Sequence, residues 1–317
     1  MKNQTTVDVI IPTYKPDASF EVLLERLEQQ NYPVDHILIM NTEEDYWDEH
    51  LIEKHPKAEV FHITKAEFDH GATRDMGAQF SNADILVYMT QDALPDDRSV
   101  IRELVRAFRD VRVKAAYARQ LPNEHCRILE GYTRNFNYPE KSCIKSAEDL
   151  PKMGIKTFFC SNVCAAYDRE TYRELGGFAK PSIFNEDMIY AGRLVKLGYS
   201  IAYVAEARVI HSHNYTNMQQ FHRNFDLAVS QAMHPEIFKG VPSESEGIRL
   251  VHRTAKYLRS IKRPWLLPRL YWSSGCKFLG YRLGKLYRIM PRFLVKACSM
   301  NKEFWNYRNP EELEDED

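Results

Sequence analysis

No window of the 317-residue chain approaches the ~20 consecutive apolar residues that a membrane-spanning helix requires. Met1–Asp8 is polar and runs straight into an apolar strand pattern, so the sequence predicts no signal peptide and a cytoplasmic protein. The six cysteines, Cys126, Cys143, Cys160, Cys164, Cys276 and Cys298, form no CxxC pair and show no zinc-like spacing with histidine. Cys160 and Cys164 read as half-buried thiols, and all six are expected reduced. Internal repeats are absent. Acid is missing from one long stretch: Ile248–Lys302 contains no Asp or Glu but 14 Lys and Arg, in a chain of formal net charge −1. That block predicts a negatively charged partner, either lipid head groups or nucleic acid. The balancing acid sits in the tail: Glu311, Glu312, Glu314, Asp315, Glu316 and Asp317.

With 44% hydrophobic and 27% charged residues, the remaining composition is that of a globular protein able to bury one large core or two closely packed ones. Short apolar runs at Val7–Ile11, His36–Met40, Glu59–Ile63, Ile85–Met89 and Val113–Ala118 predict strands. Helical patterns fall between them at Phe20–Gln30, Asp45–Lys54, Thr73–Ser81 and Ser99–Arg109. Such alternation predicts a mostly parallel sheet covered on both faces, with ligands at the C-terminal strand ends. Pro12–Lys15, Asn41–Glu44, His70–Arg74 and Thr90–Pro95 are therefore the loops of interest. Beyond them, Leu121–Lys156 reads as a polar loop or small insertion over the site. Phe158–Tyr167 and Ile201–Val209 read as strands, separated by a helix over Glu186–Leu197 that Asn185 caps and Gly198 ends. From Gln219 the chain reads as helical, interrupted at Pro264, Pro268 and Pro291.

Several segments, in order, carry a family likeness. Val9-Ile10-Ile11-Pro12-Thr13-Tyr14 resembles the opening strand and base-holding turn of family 2 glycosyltransferases, which have the GT-A fold. Phe68-Asp69-His70-Gly71-Ala72-Thr73-Arg74, followed by Gly77-Ala78, resembles their donor-binding segment. Thr90-Gln91-Asp92 stands where the family carries its Asp-x-Asp metal motif, with Thr90 replacing the first Asp. Asn185-Glu186-Asp187 matches the pair containing the catalytic base, and His211-Ser212-His213 a downstream histidine segment. The likeness covers roughly residues 7–230. Adding Ala93-Leu94-Pro95 and Ala118-Arg119-Gln120-Leu121-Pro122 narrows it to bacterial rhamnosyltransferases that use dTDP-L-rhamnose, a choice that no physical property of these residues dictates. The division implied is a GT-A catalytic domain over 1–235, with a nucleotide-binding half of about 1–120 and an acceptor half of about 121–235. A helical region over 236–317 follows.

The chemistry explains these residue types. A nucleoside diphosphate gains negative charge as it leaves, and a divalent cation, Mg²⁺ or Mn²⁺, would stabilise that charge. Asp92 is the expected ligand, supported by His213 or His211, which strand alternation would put on one face. The competing reading makes Asp92 a turn residue. A sugar hydroxyl needs a base; Asp187 is the first choice and Glu186 the second, both in a helix's first turn, where the dipole favours ionised carboxylates. One base without a protein nucleophile implies inversion at the anomeric carbon. Arg74 suits phosphate, or else a surface salt bridge with Asp75 or Asp69. His70 would contact pyrophosphate or sugar. Pro12, Thr13, Tyr14, Asn41, Thr42, Glu44, Gln91 and Asp92 complete the donor set, and Asn162 is the acceptor candidate.

The basic C-terminal segment has a pattern of its own. As one helix, Lys277–Arg292 would gather Lys277, Arg282, Lys285, Arg288 and Arg292 within about 140° of arc, opposite Leu279, Leu283, Leu286 and Met290. That suits a membrane surface, with Trp265, Tyr271, Trp272 and Tyr287 at the interface; packing on the catalytic domain is the alternative. Nucleic acid is excluded as a partner because no nucleic-acid module precedes it. The expected function is inverting transfer of L-rhamnose to a saccharide acceptor of a bacterial surface glycan. A lipid-linked acceptor would place the enzyme at the inner face of the cell membrane. The alternatives are a UDP-sugar donor and a binding scaffold that has lost catalysis, the latter motivated by Thr90.

Overall fold

The computed structural model describes residues 4–241 and 244–307. The acidic tail singled out above lies outside them. Its first half is the expected α/β unit: β1 (Val7–Tyr14), β2 (His36–Thr42), β3 (Ala58–Ile63) and β4 (Ile85–Met89) pair in parallel, in the order β3-β2-β1-β4. The second half is mixed, built from β5 (Leu94–Pro95), β6 (Val113–Leu121), β7 (Cys143–Lys145), β8 (Cys164–Asp168) and β9 (Ser200–Ile210). β8 lies antiparallel between β4 and β6, β9 runs parallel to β6, and β5 and β7 both pair antiparallel with β9.

Strand alternation splits the core into two layers. Val7, Val9 and Ile11 of β1 point to one face, against helix α1 (Ala18–Glu28). Ile10 points to the other, into a layer rich in aromatics that includes Tyr88, Tyr167, Phe178 and Tyr190. In α1 Asp17 caps Ser19 N, and Phe20, Leu23, Leu24 and Leu27 form the buried stripe. The other helices are α2 (His50–Glu53), α3 (His70–Phe80), α4 (Val100–Ala107), α5 (Ile128–Asn137), α6 (Leu150–Met153), α7 (Arg169–Glu174) and α8 (Glu186–Lys196). The C-terminal set is α9 (Asn217–Met233), α10 (Pro235–Phe238), α11 (Glu244–Ser260), α12 (Leu267–Gly284), α13 (Arg292–Cys298) and α14 (Phe304–Tyr307).

Several sequence expectations are corrected. Asp45–Lys54 is not one helix but a 3₁₀ turn at Glu44–Tyr46 followed by the short α2. α3 begins a turn earlier than Thr73, because the Asp69 carboxylate accepts from Gly71 N and Ala72 N, each at 2.9 Å. Gly71 is required there: a Cβ would lie 2.2 Å from the Ala179 carbonyl oxygen. Leu121–Lys156 is not merely a loop, since it holds α5, β7 and α6. Only Cys164–Asp168 of the Phe158–Tyr167 region is strand; Gly154–Phe158 is 3₁₀. Asn185 occupies the N-cap position of α8 in the left-handed region (φ 62°), and its side chain caps nothing. Gly198 ends α8 as expected, with φ 87°. Cys160 and Cys164 are fully buried free thiols, not half-buried ones.

The basic helix is also redrawn. α12 stops at Gly284, and Lys285–Arg292 contains a 3₁₀ turn instead. Of the basic arc, Lys277 is half-buried while Arg282, Lys285, Arg288 and Arg292 are exposed; on the opposite side Leu279 and Leu286 are 54% and 50% exposed. Tyr287 is buried, not interfacial. Among the described residues no helix is long and apolar enough to cross a membrane.

Candidate active site

Register brings the first group together. Parallel pairing sets Thr13 opposite Asn41 and Asn41 opposite His62. The Thr13 hydroxyl donates to Asn41 Oδ1 at 3.0 Å; Asn41 Nδ2 donates to the Glu43 carbonyl at 3.1 Å and meets His62 Nδ1 at 3.0 Å. Tyr14 N donates to Gln91 Oε1 at 2.7 Å, and Gln91 Nε2 donates back to the Tyr14 carbonyl at 3.1 Å. Gln91 thus ties the turn after β1 to the turn after β4. Pro12 is half-buried within β1, opposite Met40, and Thr42 is buried with its hydroxyl unpartnered. Glu44 is exposed at the start of its 3₁₀ turn, with no side-chain contact to this group among the described residues. The sequence reading passed over Tyr46 and Lys65. Tyr46 meets the Tyr14 ring edge-on at 5.6 Å, and the Lys15 ammonium sits 4.1 Å from the Tyr46 centroid. Lys65 lies 5.3 Å from the Tyr14 centroid, so two cations and two rings flank this mouth.

Pairing at the other edge builds the second group. β5 joins the end of β9, with Leu94 opposite Ile210, so the turn carrying Asp92 lies beside the residues that follow β9. His211 and His213 are not on the strand, which ends at Ile210, yet both converge on Asp92. His213 Nε2 is 3.1 Å and His211 Nε2 3.5 Å from Asp92 Oδ2. The ligand atoms of the three residues lie within 4.8 Å of one another. Burial would raise the Asp92 pKa, but hydrogen bonds and charge from His211 and His213 outweigh it and hold the carboxylate far below its ordinary range. Burial outweighs the bond to Asp92 and lowers the His211 pKa, which favours the neutral imidazole, the form that binds metal.

Gln120, near the end of β6, holds this group in place. Its Oε1 accepts from an Arg134 guanidinium nitrogen, and His211 Nδ1 lies 3.1 Å from the same oxygen. Because Arg134 can only donate, it fixes the amide oxygen there, so His211 Nδ1 must carry the proton. Once His211 is neutral its Nε2 lone pair faces the carboxylate, where a divalent cation would take the place of the proton the two groups otherwise share. Two imidazoles and one carboxylate fit Mn²⁺, which accepts nitrogen and oxygen; Mg²⁺ demands oxygen and fits less well. The Gln120 amide nitrogen donates to Tyr138 Oη at 2.6 Å and Ser161 Oγ at 3.0 Å. The sequence reading assigned no role to Gln120 or Arg134. A signal existed for Gln120, a polar residue among the apolar ones of a strand; for Arg134 there was none, because α5 was unforeseen.

The third group surrounds the start of α8. Asp187 Oδ2 accepts from Asn162 N at 3.0 Å and Oδ1 from Met188 N at 2.7 Å. Asn162 Nδ2 donates to Glu186 Oε1 at 3.0 Å, while Tyr167 Oη donates to Asn162 Oδ1 at 2.8 Å. Arg74 is no surface residue: 6% exposed, it lies 3.4 Å from Glu186 Oε1 and donates to the His70 carbonyl at 2.9 Å. Its Nε is buried and unpartnered. The two acids therefore differ. Burial would raise the Glu186 pKa, but Arg74, His70 and Asn162 overcome that and keep it ionised. Asp187 is pushed up, first by burial and then by the Glu186 charge. Burial lowers the His70 pKa against the opposing pull of the Glu186 charge.

Residues 8–176 match glycosyl transferase family 2. The chain is 37% identical over 302 residues to the O-antigen chain rhamnosyltransferase RfbN of Salmonella typhimurium, covering 95% of this chain and 96% of that protein. It is also 37% identical to the O-antigen chain rhamnosyltransferase WbaN of Salmonella anatum, over 94% and 95% of the two chains. In fold it is similar to the mannosyltransferase PcManGT of Pyrobaculum calidifontis, solved with GDP-Man and Mn²⁺. The TM-score is 0.55 at 17% identity, over 97% of this chain and 89% of that one. It is likewise similar to S. aureus TarS 1–349, solved with UDP-GlcNAc, with TM-score 0.51 at 13% identity over 90% and 92% of the chains.

Proposed function

The chain belongs to glycosyl transferase family 2, and from that premise we propose that it transfers L-rhamnose from dTDP-L-rhamnose to a saccharide of a growing O-antigen-type chain, with inversion. The end-to-end 37% identity to two O-antigen rhamnosyltransferases carries the choice of sugar and acceptor. The three groups of side chains support the chemistry. Thr13, Asn41 and Tyr14 would take the base, with Lys15 and Arg74 supplying positive charge toward the diphosphate. Asp92, His211 and His213 would hold Mn²⁺, which when bound offsets the charge that accumulates on the departing diphosphate. The intact trio argues against a scaffold that has lost catalysis, because Thr90 leaves the ligand set complete through histidine.

Asp187 is the base in this reading. Its raised pKa matches the proton affinity that a general base needs near neutrality. Glu186 is committed to Arg74 and Asn162 and acts as a positioning residue. As the acceptor oxygen bonds to the anomeric carbon, its proton passes to Asp187, and the bond from that carbon to the diphosphate oxygen breaks. No protein nucleophile intervenes, so the anomeric configuration inverts. The test is nucleotide release from dTDP-L-rhamnose, UDP-N-acetylglucosamine, UDP-glucose and UDP-galactose, with Mn²⁺ and with chelator. Turnover should be greatest with dTDP-L-rhamnose and vanish with chelator. A faster UDP-sugar would overturn the donor, and undiminished turnover in chelator the metal.

A further inference from the structure

α12 lies against α9 on one face only. At Gly280 a Cβ would sit 2.2 Å from the Phe221 carbonyl oxygen, and beside it Tyr281 is buried, its hydroxyl donating to Gln231 at 2.9 Å. Among the described residues nothing covers the opposite face. At ~100° per residue, Tyr271, Trp272, Phe278, Leu279, Arg282 and Lys285 fall within about 140° of arc. Tyr271, Trp272, Phe278 and Leu279 are 52%, 69%, 58% and 54% exposed. Trp265, just before the helix, is 64% exposed, with the Arg263 guanidinium 5.7 Å from its ring. Isolated exposed apolar residues are ordinary, but a contiguous aromatic stripe marks an interaction surface.

We propose that this stripe of α12, with its flanking cations, docks the protein on an anionic lipid surface, lying in the head-group layer without crossing it. Charge complementarity selects that occupant: Arg263, Arg282 and Lys285 flank the stripe, and Ile248–Lys302 holds no acid to repel phosphate head groups. The exposed rings select it too, since Trp and Tyr pair an apolar body with a polar edge and favour the interface. Arg282 and Lys285 close the C-terminal end of the stripe on its exposed side. The inference is independent of the donor and acceptor assigned above.

The experiment is vesicle sedimentation of the full chain with phosphatidylglycerol-containing and pure phosphatidylcholine vesicles across a salt series. Binding should require the anionic lipid and weaken as salt shortens the screening length. Trp272→Ala with Phe278→Ala, and separately Arg282→Gln with Lys285→Gln, should each lower vesicle affinity roughly tenfold or more. Circular dichroism melts and turnover on a water-soluble acceptor should stay at wild-type values, because these side chains lie outside both the core and the active site. Three results would each overturn the proposal. The wild type could ignore anionic vesicles at low salt, or both pairs could bind like wild type. Sedimentation equilibrium could instead show a self-associated chain that the Trp272/Phe278 pair dissociates, assigning the stripe to a second copy.

Discussion

Asp187 and Glu186 are neighbours in sequence with opposite environments, and their substitution should separate their roles. Asp187→Asn should lower kcat roughly 10²–10⁴-fold with donor affinity little changed, because it removes the proton acceptor and one of its two backbone N–H bonds but no donor contact. Glu186→Gln should act on stability first, leaving Arg74 buried without its counter-charge at a cost of about 3 kcal/mol or more. Calorimetry and turnover on the same preparations distinguish the two; near-wild-type turnover by Asp187→Asn would move the base elsewhere. The pH profile has a definite sign. Asp187 must be unprotonated to accept a proton, and its pKa is raised, so kcat should fall with acidity at a pH where an ordinary Asp, near 3.9, remains ionised. Asp187→Asn should lose that limb.

At the opposite edge, Asp92→Ala should abolish Mn²⁺-dependent binding of nucleoside diphosphate, and His213→Ala should weaken it less. Gln120→Leu removes no expected ligand but releases His211 Nδ1 and Arg134, so Mn²⁺ affinity should fall about 10–100-fold. Titration calorimetry with Mn²⁺ alone reads this directly. Unchanged Mn²⁺ affinity in Gln120→Leu would reduce the residue to a packing role.

Within elements, neighbouring glycines of one helix carry opposite expectations. Gly280→Ala would drive a Cβ to 2.2 Å from the Phe221 carbonyl oxygen, forcing α12 off α9, whereas at Gly275 a Cβ would meet nothing within 4 Å. Gly280→Ala should therefore cost about 1–3 kcal/mol. Gly275→Ala should gain about 0.5–1 kcal/mol from helix propensity. Urea midpoints compare them; equal effects would mean that α12 is not seated on α9 as described. α12 also shows what helical periodicity leaves open, since Lys277 of the basic arc is half-buried while Arg282 and Lys285 are exposed. Regular spacing fixes which side chains share a face, but contact with α9 decides which face turns inward, and glycine seats closer than leucine.

The catalytic and C-terminal parts are fastened together, which bears on the division at 235/236: we propose it as a boundary of role and not of folding. Phe225 and Val229 of α9 share a buried cluster with Tyr287, Val295, Phe304 and Trp305. The buried Asp226 carboxylate accepts from Met300 N at 2.8 Å and Asn301 N at 3.0 Å. A chain ending after Met233 would expose those apolar faces and strip the carboxylate of its donors. It should melt well below the full chain and aggregate, as measured by light scattering during thermal unfolding. A truncated chain that melts like the full one would make the C-terminal helices an independent layer. Vesicle binding is accordingly tested by point substitution in the full chain.

Much was determined by local sequence. The strands through β4 and helices α1, α3, α4 and α8 follow from short apolar runs and helical patterns with their breakers, and these need no distant partner. The order of the Pro12-Thr13, His70–Arg74, Asp92, Glu186-Asp187 and His211–His213 segments pointed to the family before any contact was known. Tertiary structure decided what sequence separation conceals. Residues 92 and 211 meet only because β5 adds to β9. Asp187 and Glu186 acquire different proton affinities because Arg74, 112 positions earlier than Glu186, pairs with Glu186 and acts on Asp187 least among the causes of its shift. Gln120 becomes a hub only once α5 supplies Arg134. Propensity and periodicity act over a few residues, whereas burial, charge pairing and the choice of inward face are set by whatever the fold brings alongside.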